Sequence, residues 1–227
     1  MNPDYQEWLQ FKMDTDPEFR KWKQQKDAEA ARIRAEQELE AERKRVAILA
    51  VDLGLSVKWA KANLGTETPG GFGDYYAWGE VFQCSERYKW SKNGSLTKYI
   101  TRSNFGTVDN KTVLDPEDDA AHVKLGGKWR IPTDDEWTEL RNKCTWTWIA
   151  NGYKVTSKIN GNSIFLPAAG HRYGASSYGA GSHGSYCSSS LNAGSPNGAW
   201  SVRFDSEGVS RYETGRIYGQ SVRPVTE

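Results

Sequence analysis

Between Pro17 and Leu53 the chain contains no glycine and, after Pro17 itself, no further proline. The protein has 22 glycines in 227 residues, so this gap is not a matter of composition. The run "KQQKDAEAARIRAEQELEAERKRVAIL" is built from Ala, Glu, Lys, Arg and Gln, which lose little side-chain freedom in a helix, and it commits the backbone to one long helix. Asp16-Pro17-Glu18 supplies the start: Asp caps, Pro is tolerated in the first helical position, and Glu favours the positive end of the helix dipole. Glu and Arg recur at spacings of three and four, as on an exposed helix. The apolar positions Ile33, Leu39 and Val46 are too sparse to demonstrate a heptad seam. The segment therefore reads as a solvated tether or stalk, with a coiled-coil oligomeriser as the alternative. Tyr5, Trp8, Leu9, Phe19 and Trp22 are large apolar residues in a polar setting, expected to dock against the main domain or a neighbouring subunit. Residues 1–49 form this helical segment, and 50–227 form a single further domain.

At about Ala50 the pattern changes. "AVDLGLSVKWAKANLG" and "GDYYAWGE" read as short strands around a Gly/Pro-rich turn. In "WRIPTDDEWTEL", Thr133 precedes Glu136 by three residues, a capping box, with Trp137 and Leu140 at helical spacing. A short helix from Asp134 to about Asn142 is expected. "NGYKVTSKINGNSIFLPAAG" reads as a hairpin turning at "INGN", and "AWSVRF" and "GQSVRPV" as strands between Gly-, Ser- and Asn-rich connections. The class is α+β, loop-rich, preceded by the long helix.

Composition narrows function. A formal net charge of +1 with interspersed signs lacks the basic stripe of a nucleic-acid binder. The three cysteines, Cys84, Cys144 and Cys187, are odd in number and far apart, which argues against a disulfide framework or a zinc knuckle. No run approaches a membrane span, and the start lacks a basic patch followed by an apolar core, so neither membrane insertion nor a cleaved signal peptide is expected. His171 and His183 stand twelve residues apart without a partnered carboxylate motif, so no catalytic residue is assigned. No metal and no cofactor is expected.

The C-terminal third has a different composition. The last lysine of the chain is Lys158, and from His171 to Tyr218 there is no Lys, Met or Gln. Ser, Gly and Tyr dominate, as in "YGASSYGAGSHGSYCSSS" (173–190). Tyrosine offers rigid contact area at low entropic cost, and Ser and Gly offer adaptable hydrogen bonding. The plain reading is a glycine-rich loop in which tyrosines pack and serines are merely soluble. The other is a contact surface, with Tyr173, Tyr178, Tyr186, Tyr212, Tyr218, His171, His183, Arg203 and Arg211 as anchors. A flexible linker would lack these aromatics and would not run into β-like framework.

The ordered set "VDLGLSVKWAKANLG", "GDYYAWGE", "GGKWRIPTDDEW", "NSIFLPAAG", "SSS" followed by "AW.V.F", and a terminal "SVRPV" resembles a bacterial group of domains with the C-type lectin fold. That group is related to the formylglycine-generating-enzyme family and is especially similar to the Bacteroidetes and Fibrobacter major paralogous domains. The resemblance covers Val51 to Val225 and implies a C-type lectin-like fold, which does not by itself settle activity. The enzymatic branch uses a pair of reactive cysteines near its C-terminus, whereas only Cys187 lies in the corresponding third here. Calcium-dependent lectins of this fold use an EPN or QPD tripeptide; "SPN" at Ser195 to Asn197 lacks the first carboxylate.

A third branch, the variable proteins of diversity-generating retroelements, matches the C-terminal composition best. Their C-terminal segment is rewritten at adenines, mostly in asparagine codons. Such codons yield Tyr, Ser, His, Gly, Ala, Asp, Arg, Cys, Thr, Ile or Leu, and never Lys, Met, Gln, Glu or Trp. Trp200, in the framework-like "AW.V.F", and Glu207 and Glu213 would then be fixed by the template. The resemblance implies a variable ligand-binding surface made of His171, Tyr173, Ala175, Ser177, Tyr178 and Ser182, then His183, Ser185, Tyr186 and Asn192. It continues through Ser201, Arg203, Asp205, Arg211, Tyr212, Thr214, Ile217 and Tyr218. Related domains read "YWSSS" where this chain has "YCSSS", so Cys187 is either a variable position at the surface or a core position that has lost a tryptophan. The implied partner is a protein or glycan on a target cell surface, with no nucleic acid and with homo-oligomerisation through the helix as an option. The implied location is a phage virion at the tail tip, or the bacterial cytoplasm before assembly or export. The alternatives are an invariant adhesion or structural domain of the paralogous family and, further off, a sulfatase-modifying type of enzyme.

Overall fold

The computed structural model describes residues 3–84, 88, 89, 91, 92 and 95–227. Two compact units follow one another along the chain, Met1–Ile48 and Leu49–Glu227. No helix among the described residues is long and apolar enough to cross a membrane.

The first unit is helical. The helix expected from Pro17 is present as α2, and a shorter helix that the sequence did not announce precedes it: α1 spans Pro3–Thr15 and α2 spans Pro17–Leu49. Asp16 separates them. Its carboxylate accepts from the Phe19 amide at 3.0 Å and caps α2, and Arg20 ties the turn by donating to the carbonyls of Met13 and Asp14. Trp8 meets Phe19 edge-on at 5.7 Å. Residues eleven apart on one straight helix lie about 16 Å apart along its axis, so this contact requires a sharp turn at Asp16. Tyr5 stacks on Trp8, and Phe19 packs on Trp22. Four of the five residues expected to seek a partner elsewhere thus meet one another first. Beyond them α2 is exposed, Ile33 at 44% and Leu39 at 53%, which suits a tether.

The second unit runs in chain order through β1 (Ala50–Val51), β2 (Lys58–Ala60), β3 (Tyr75–Tyr76), β4 (Ser91–Lys92) and β5 (Ser95–Leu96), then α3 (Ala120–Leu125) and α4 (Asp134–Lys143). The strands β6 (Cys144–Ile149), β7 (Gly152–Ser157), β8 (Ser163–Pro167), β9 (His171–Tyr173) and β10 (Ser176–Tyr178) follow. Last come β11 (His183–Leu191), β12 (Gly198–Asp205), β13 (Gly208–Gly215), β14 (Gln220–Ser221) and β15 (Val225–Thr226). The unit is a mixed helix-and-sheet arrangement with loop-rich connections. A five-stranded sheet, ordered β13-β12-β11-β14-β3, is its centre; β1-β2-β15 and β6-β7-β8 form two smaller sheets. β2 pairs with both β1 and β15, so the two ends of the unit meet.

Local structure follows the sequence where a side chain sets the backbone. At α4, Thr133 Oγ1 accepts from the Glu136 amide at 3.2 Å and Glu136 Oε2 accepts from the Thr133 amide at 2.7 Å, the full capping box. Trp137 and Leu140 on its inner face are buried. The hairpin around "INGN" is β7–β8, and β6, which was not anticipated, joins it from the other side. Its "CTWTWI" alternates as a half-buried strand does, placing Trp146 and Trp148 against Tyr153 and Phe204.

The five-stranded sheet has core on both faces. Tyr186, Val202 and Phe204 point to a cluster with Trp59, Trp137, Leu140, Val155 and Leu166. Cys187, Leu191 and Ala199 point the other way, to Trp78, Tyr99, Leu114 and Ile131. The second half of "YGASSYGAGSHGSYCSSS" is therefore a central strand rather than a loop.

Two buried arginines join the irregular segments. Arg223, fully buried, donates from Nε to Asn63 Oδ1, from Nη1 to the Ala60 carbonyl and from Nη2 to the Phe165 carbonyl, at 2.7–3.0 Å. Arg216 donates to the Tyr88 hydroxyl and to the carbonyls of Lys98, Tyr99 and Pro196. Its guanidinium lies against the rings of Trp78, Tyr88 and Tyr99 at 4.9–5.7 Å from their centroids. Replacing Arg216 with alanine removes the donor these four oxygens share, and urea denaturation is expected to record a loss of about 3–5 kcal/mol. Thr133→Ala, which removes only the cap, is expected to cost about 1 kcal/mol in the same measurement.

Candidate functional site

β9 and β10 form a tight hairpin at the start of the lysine-free segment. Gly174, with φ at +56°, takes the first position of its two-residue turn, where a positive φ is required. All three residues of β10 are exposed. The chain returns through Gly179, with φ at +67°. A Cβ there would lie 1.8 Å from the His183 ring, so only glycine allows the ring its position.

This packing brings together rings that are far apart in sequence. His171 stacks on Tyr178 at 5.5 Å with 21° between planes and meets Tyr218 edge-on at 5.9 Å. Tyr173 packs on Tyr218 at 5.3 Å. His171 Nδ1 and His183 Nε2 are 3.1 Å apart, a hydrogen bond in which one ring donates and the other accepts. Beside them opens a pocket of about 270 Å³ lined by His171, Ser185, Arg203, Tyr212, Glu213, Thr214, Gly215 and Tyr218. Six of these eight belong to the surface expected from sequence. Arg203 lies over the Tyr212 ring at 5.5 Å.

Strand alternation explains which expected residues share this face. In register, Ser185 opposes Arg203, Arg203 opposes Ser210, and Ser201 opposes Tyr212, so Ser185, Ser201, Arg203, Tyr212 and Thr214 point one way. Neighbours in sequence point the other way, which corrects the expectation for Tyr186 and Arg211, and burial corrects it for Ser201. Tyr186 is fully buried, its ring against Trp137 and Phe204 and its hydroxyl donating to the Pro167 carbonyl at 2.9 Å. Arg211 lies on the opposite face, 3.3 Å above the Trp200 ring, and pairs with Asp134 of α4. Ser201 shares the pocket's face but is 1% exposed, its hydroxyl held by the Tyr212 carbonyl and Thr214 Oγ1. Ser185 is buried too, at the pocket floor, donating to Gln220 Oε1.

The remaining expected residues sit around this centre. Ala175, Ser177 and Ser182 are exposed on the hairpin and the turn after it, and Asp205 is exposed opposite His183. Asn192 donates to Glu213 Oε2 at 2.7 Å. Ile217 turns inward against Ala77, Cys84 and Tyr88. The surface reading of Cys187 is also overturned: it is 2% exposed, its Sγ faces the Ser221 carbonyl, and burial pushes its thiol pKa up. It occupies the core.

Sequence reasoning missed Glu213 and Arg172. Glu213, which asparagine codons cannot reach, borders the pocket from β13, although alternation turns it to the Trp200 face, away from Tyr212 and Thr214. Arg172 lies over the Tyr75 ring and donates to the Ala175 carbonyl, while its buried Nε has no hydrogen-bond partner among the described residues. Elsewhere, Asp115, Glu117 and Asp118 bring carboxylate oxygens within 4.8 Å of one another, but the Lys98 ammonium sits among them.

No family model, no curated protein and no solved structure matches this chain.

Both histidines of the pair have pKa values below the ordinary imidazole value, through burial first and then the Arg203 guanidinium. For His183 the His171 ring adds to this and Asp205 opposes it. Folding therefore favours neutral rings. The stability this contributes is present above about pH 6.5, the unfolded value, and is lost as the pH falls through the lowered folded values. NMR titration is expected to place both ring midpoints below 6.5. Thermal unfolding of the His171→Gln, His183→Gln double variant is expected to depend less on pH between 7 and 5 than that of the parent.

Proposed function

We propose that the protein is a ligand-binding protein that displays a diversified surface on a C-type lectin-like scaffold. In this reading it is a variable protein of a diversity-generating retroelement, acting as a receptor-binding protein at a phage or prophage tail tip and attached through its N-terminal helix. The observation that carries the reading is a convergence. His171, Ser185, Arg203, Tyr212, Thr214 and Tyr218 come from four separate stretches of a lysine-free segment and line one pocket. The motif residues that carry the resemblance do the opposite: Trp59, Trp78, Trp129, Trp137, Leu166, Ala168 and Arg223 are buried. Such a division between a filled scaffold and an aromatic, polar face suits a recognition protein.

The ligand is a protein or glycan on a target cell surface. Tyr173, Tyr178 and Tyr212 are 47–50% exposed and present rigid aromatic area, Tyr212 beneath the Arg203 guanidinium, the residue types that anchor interfaces. Cysteine-oxidising catalysis gains no support, because Cys84, Cys144 and Cys187 are buried and burial pushes each thiol pKa up. An invariant adhesion domain of the paralogous family is the competing reading, and burial of Tyr186 and Ser201 favours it at those two positions.

Sequencing the flanking DNA tests the retroelement reading: a reverse-transcriptase gene and a near-copy template repeat are expected, and absence of both would sink it. Binding of the labelled protein to a panel of bacterial cells tests the face. Tyr212→Ala and Tyr178→Ala are each expected to weaken binding by about 2 kcal/mol, roughly thirtyfold, with the unfolding midpoint unchanged. Tyr186→Ala, in the core, is expected instead to cost about 3–5 kcal/mol of stability. Binding that survives both surface substitutions would place recognition elsewhere.

A further inference from the structure

We propose that His171 and His183 form a two-imidazole site for a borderline divalent transition metal, of the class of Cu²⁺, Ni²⁺ or Zn²⁺. His171 Nδ1 and His183 Nε2 are 3.1 Å apart. With metal–nitrogen bonds of about 2.0–2.1 Å, two imidazoles on one ion have their nitrogens about 2.9 Å apart at a right angle and about 3.4 Å apart at the tetrahedral angle. The observed separation falls between these limits. An ion can take the place of the shared proton if both rings turn so that their lone pairs converge on it rather than on each other.

The surroundings hold the two rings in place. The Gly170 amide donates to the His183 carbonyl at 2.7 Å, and Arg172 and Gly219 exchange both backbone hydrogen bonds, which fixes β9 beside the sheet. Tyr178 stacks on the His171 ring and Tyr218 meets its edge. The space that lets the His183 ring approach is the missing Cβ of Gly179. Asp205, in register opposite His183, supplies one negative charge near the pair, against the positive charge of Arg203.

Proton bookkeeping allows binding at neutral pH. The hydrogen bond between the rings needs one bare nitrogen to accept, so at least one imidazole of the pair is already neutral. To ligate, His171 carries its proton on Nε2 and His183 on Nδ1; the proton of the N–H···N bond shifts to an outer nitrogen through water, with no net release. Two imidazoles suit Cu²⁺, Ni²⁺ and Zn²⁺ and offer little to Ca²⁺ or Mg²⁺, which need oxygen ligands. The ion keeps open positions toward the pocket, for water or for a donor atom of whatever occupies it. The rings meet in this way whatever the face binds, so the metal site does not rest on the receptor-binding reading.

Calorimetric titration of the full chain at pH 7.5 with Cu²⁺, Ni²⁺ and Zn²⁺ salts tests the site. One ion per chain is expected, tightest for Cu²⁺, with no saturable heat from Ca²⁺ or Mg²⁺ and weaker binding at pH 5. His171→Gln and His183→Gln are each expected to weaken Ni²⁺ by more than about tenfold, the loss that removing even an outer-shell partner causes. His122→Gln changes the third histidine of the chain, whose ring faces the Trp129 carbonyl, and is expected to leave binding intact. Should either variant fail to fold, the unmodified protein still decides: substoichiometric Cu²⁺ is expected to broaden the ring-proton signals of His171 and His183 before those of His122. Absence of saturable binding, equal affinity in both variants, or equal broadening of all three histidines would overturn the proposal.

Discussion

Arg216 and Arg223 hold the irregular connections of the domain onto its sheets. The connections that carry Lys98, Tyr99 and Pro196 contribute no long strand, so their carbonyls cannot be satisfied by a ladder. A guanidinium has five donors in a planar fork and serves several carbonyls at once. Arg216 gathers three of them and the Tyr88 hydroxyl beneath the rings of Trp78 and Tyr99. Arg223 gathers the edge of β2, the Asn63 side chain and β8. Asn63 in turn donates to the Tyr186 hydroxyl, so the central strand is tied into the same network. With the irregular segments anchored in this way, the sheet can leave part of one face uncovered.

That uncovered part is where the pocket lies. On β11 and β12 the same face that packs Cys187 and Ala199 into the core carries Ser185 and Arg203 toward the other end. The opposite face is core along Tyr186, Val202 and Phe204. A side chain one residue along is therefore on the other side of the sheet, which gives a surface of this kind a strict constraint. Positions that point outward can be exchanged with little effect on the fold, and their immediate neighbours cannot. The hairpin of β9 and β10 adds Tyr173 and Tyr178 to the rim without adding to the core.

Features set by a few adjacent residues were legible. The capping box at Thr133 and Glu136, the hairpin around "INGN" and the long helix after Pro17 each depend on chemistry within one turn or a few residues, and each is found. α1 was not legible, because its "PDYQEWLQFKMDT" mixes helix formers with aromatics whose contribution comes from Phe19 and Trp22 beyond the break at Asp16. β6 is legible in the alternation of its "CTWTWI". Within the candidate site, composition identified the segment and could not assign faces. Ser185 and Tyr186 are adjacent and both of the residue types that dominate the segment, and only their pairing with Arg203 and Val202 separates a pocket floor from a core ring.

The sequence by itself determined that a long exposed helix runs on from Pro17, that a mixed helix-and-sheet domain follows, and that residues 171 to 218 differ in kind from everything before them. Those properties follow from propensity, capping and composition, which act over short distances along the chain. Only the tertiary structure decided that Tyr186 and Cys187 are core, that Arg211 belongs with Asp134 and Trp200, and that two histidines twelve residues apart share a hydrogen bond beside a pocket. The register between distant strands sets those outcomes, and register follows from how the whole domain packs.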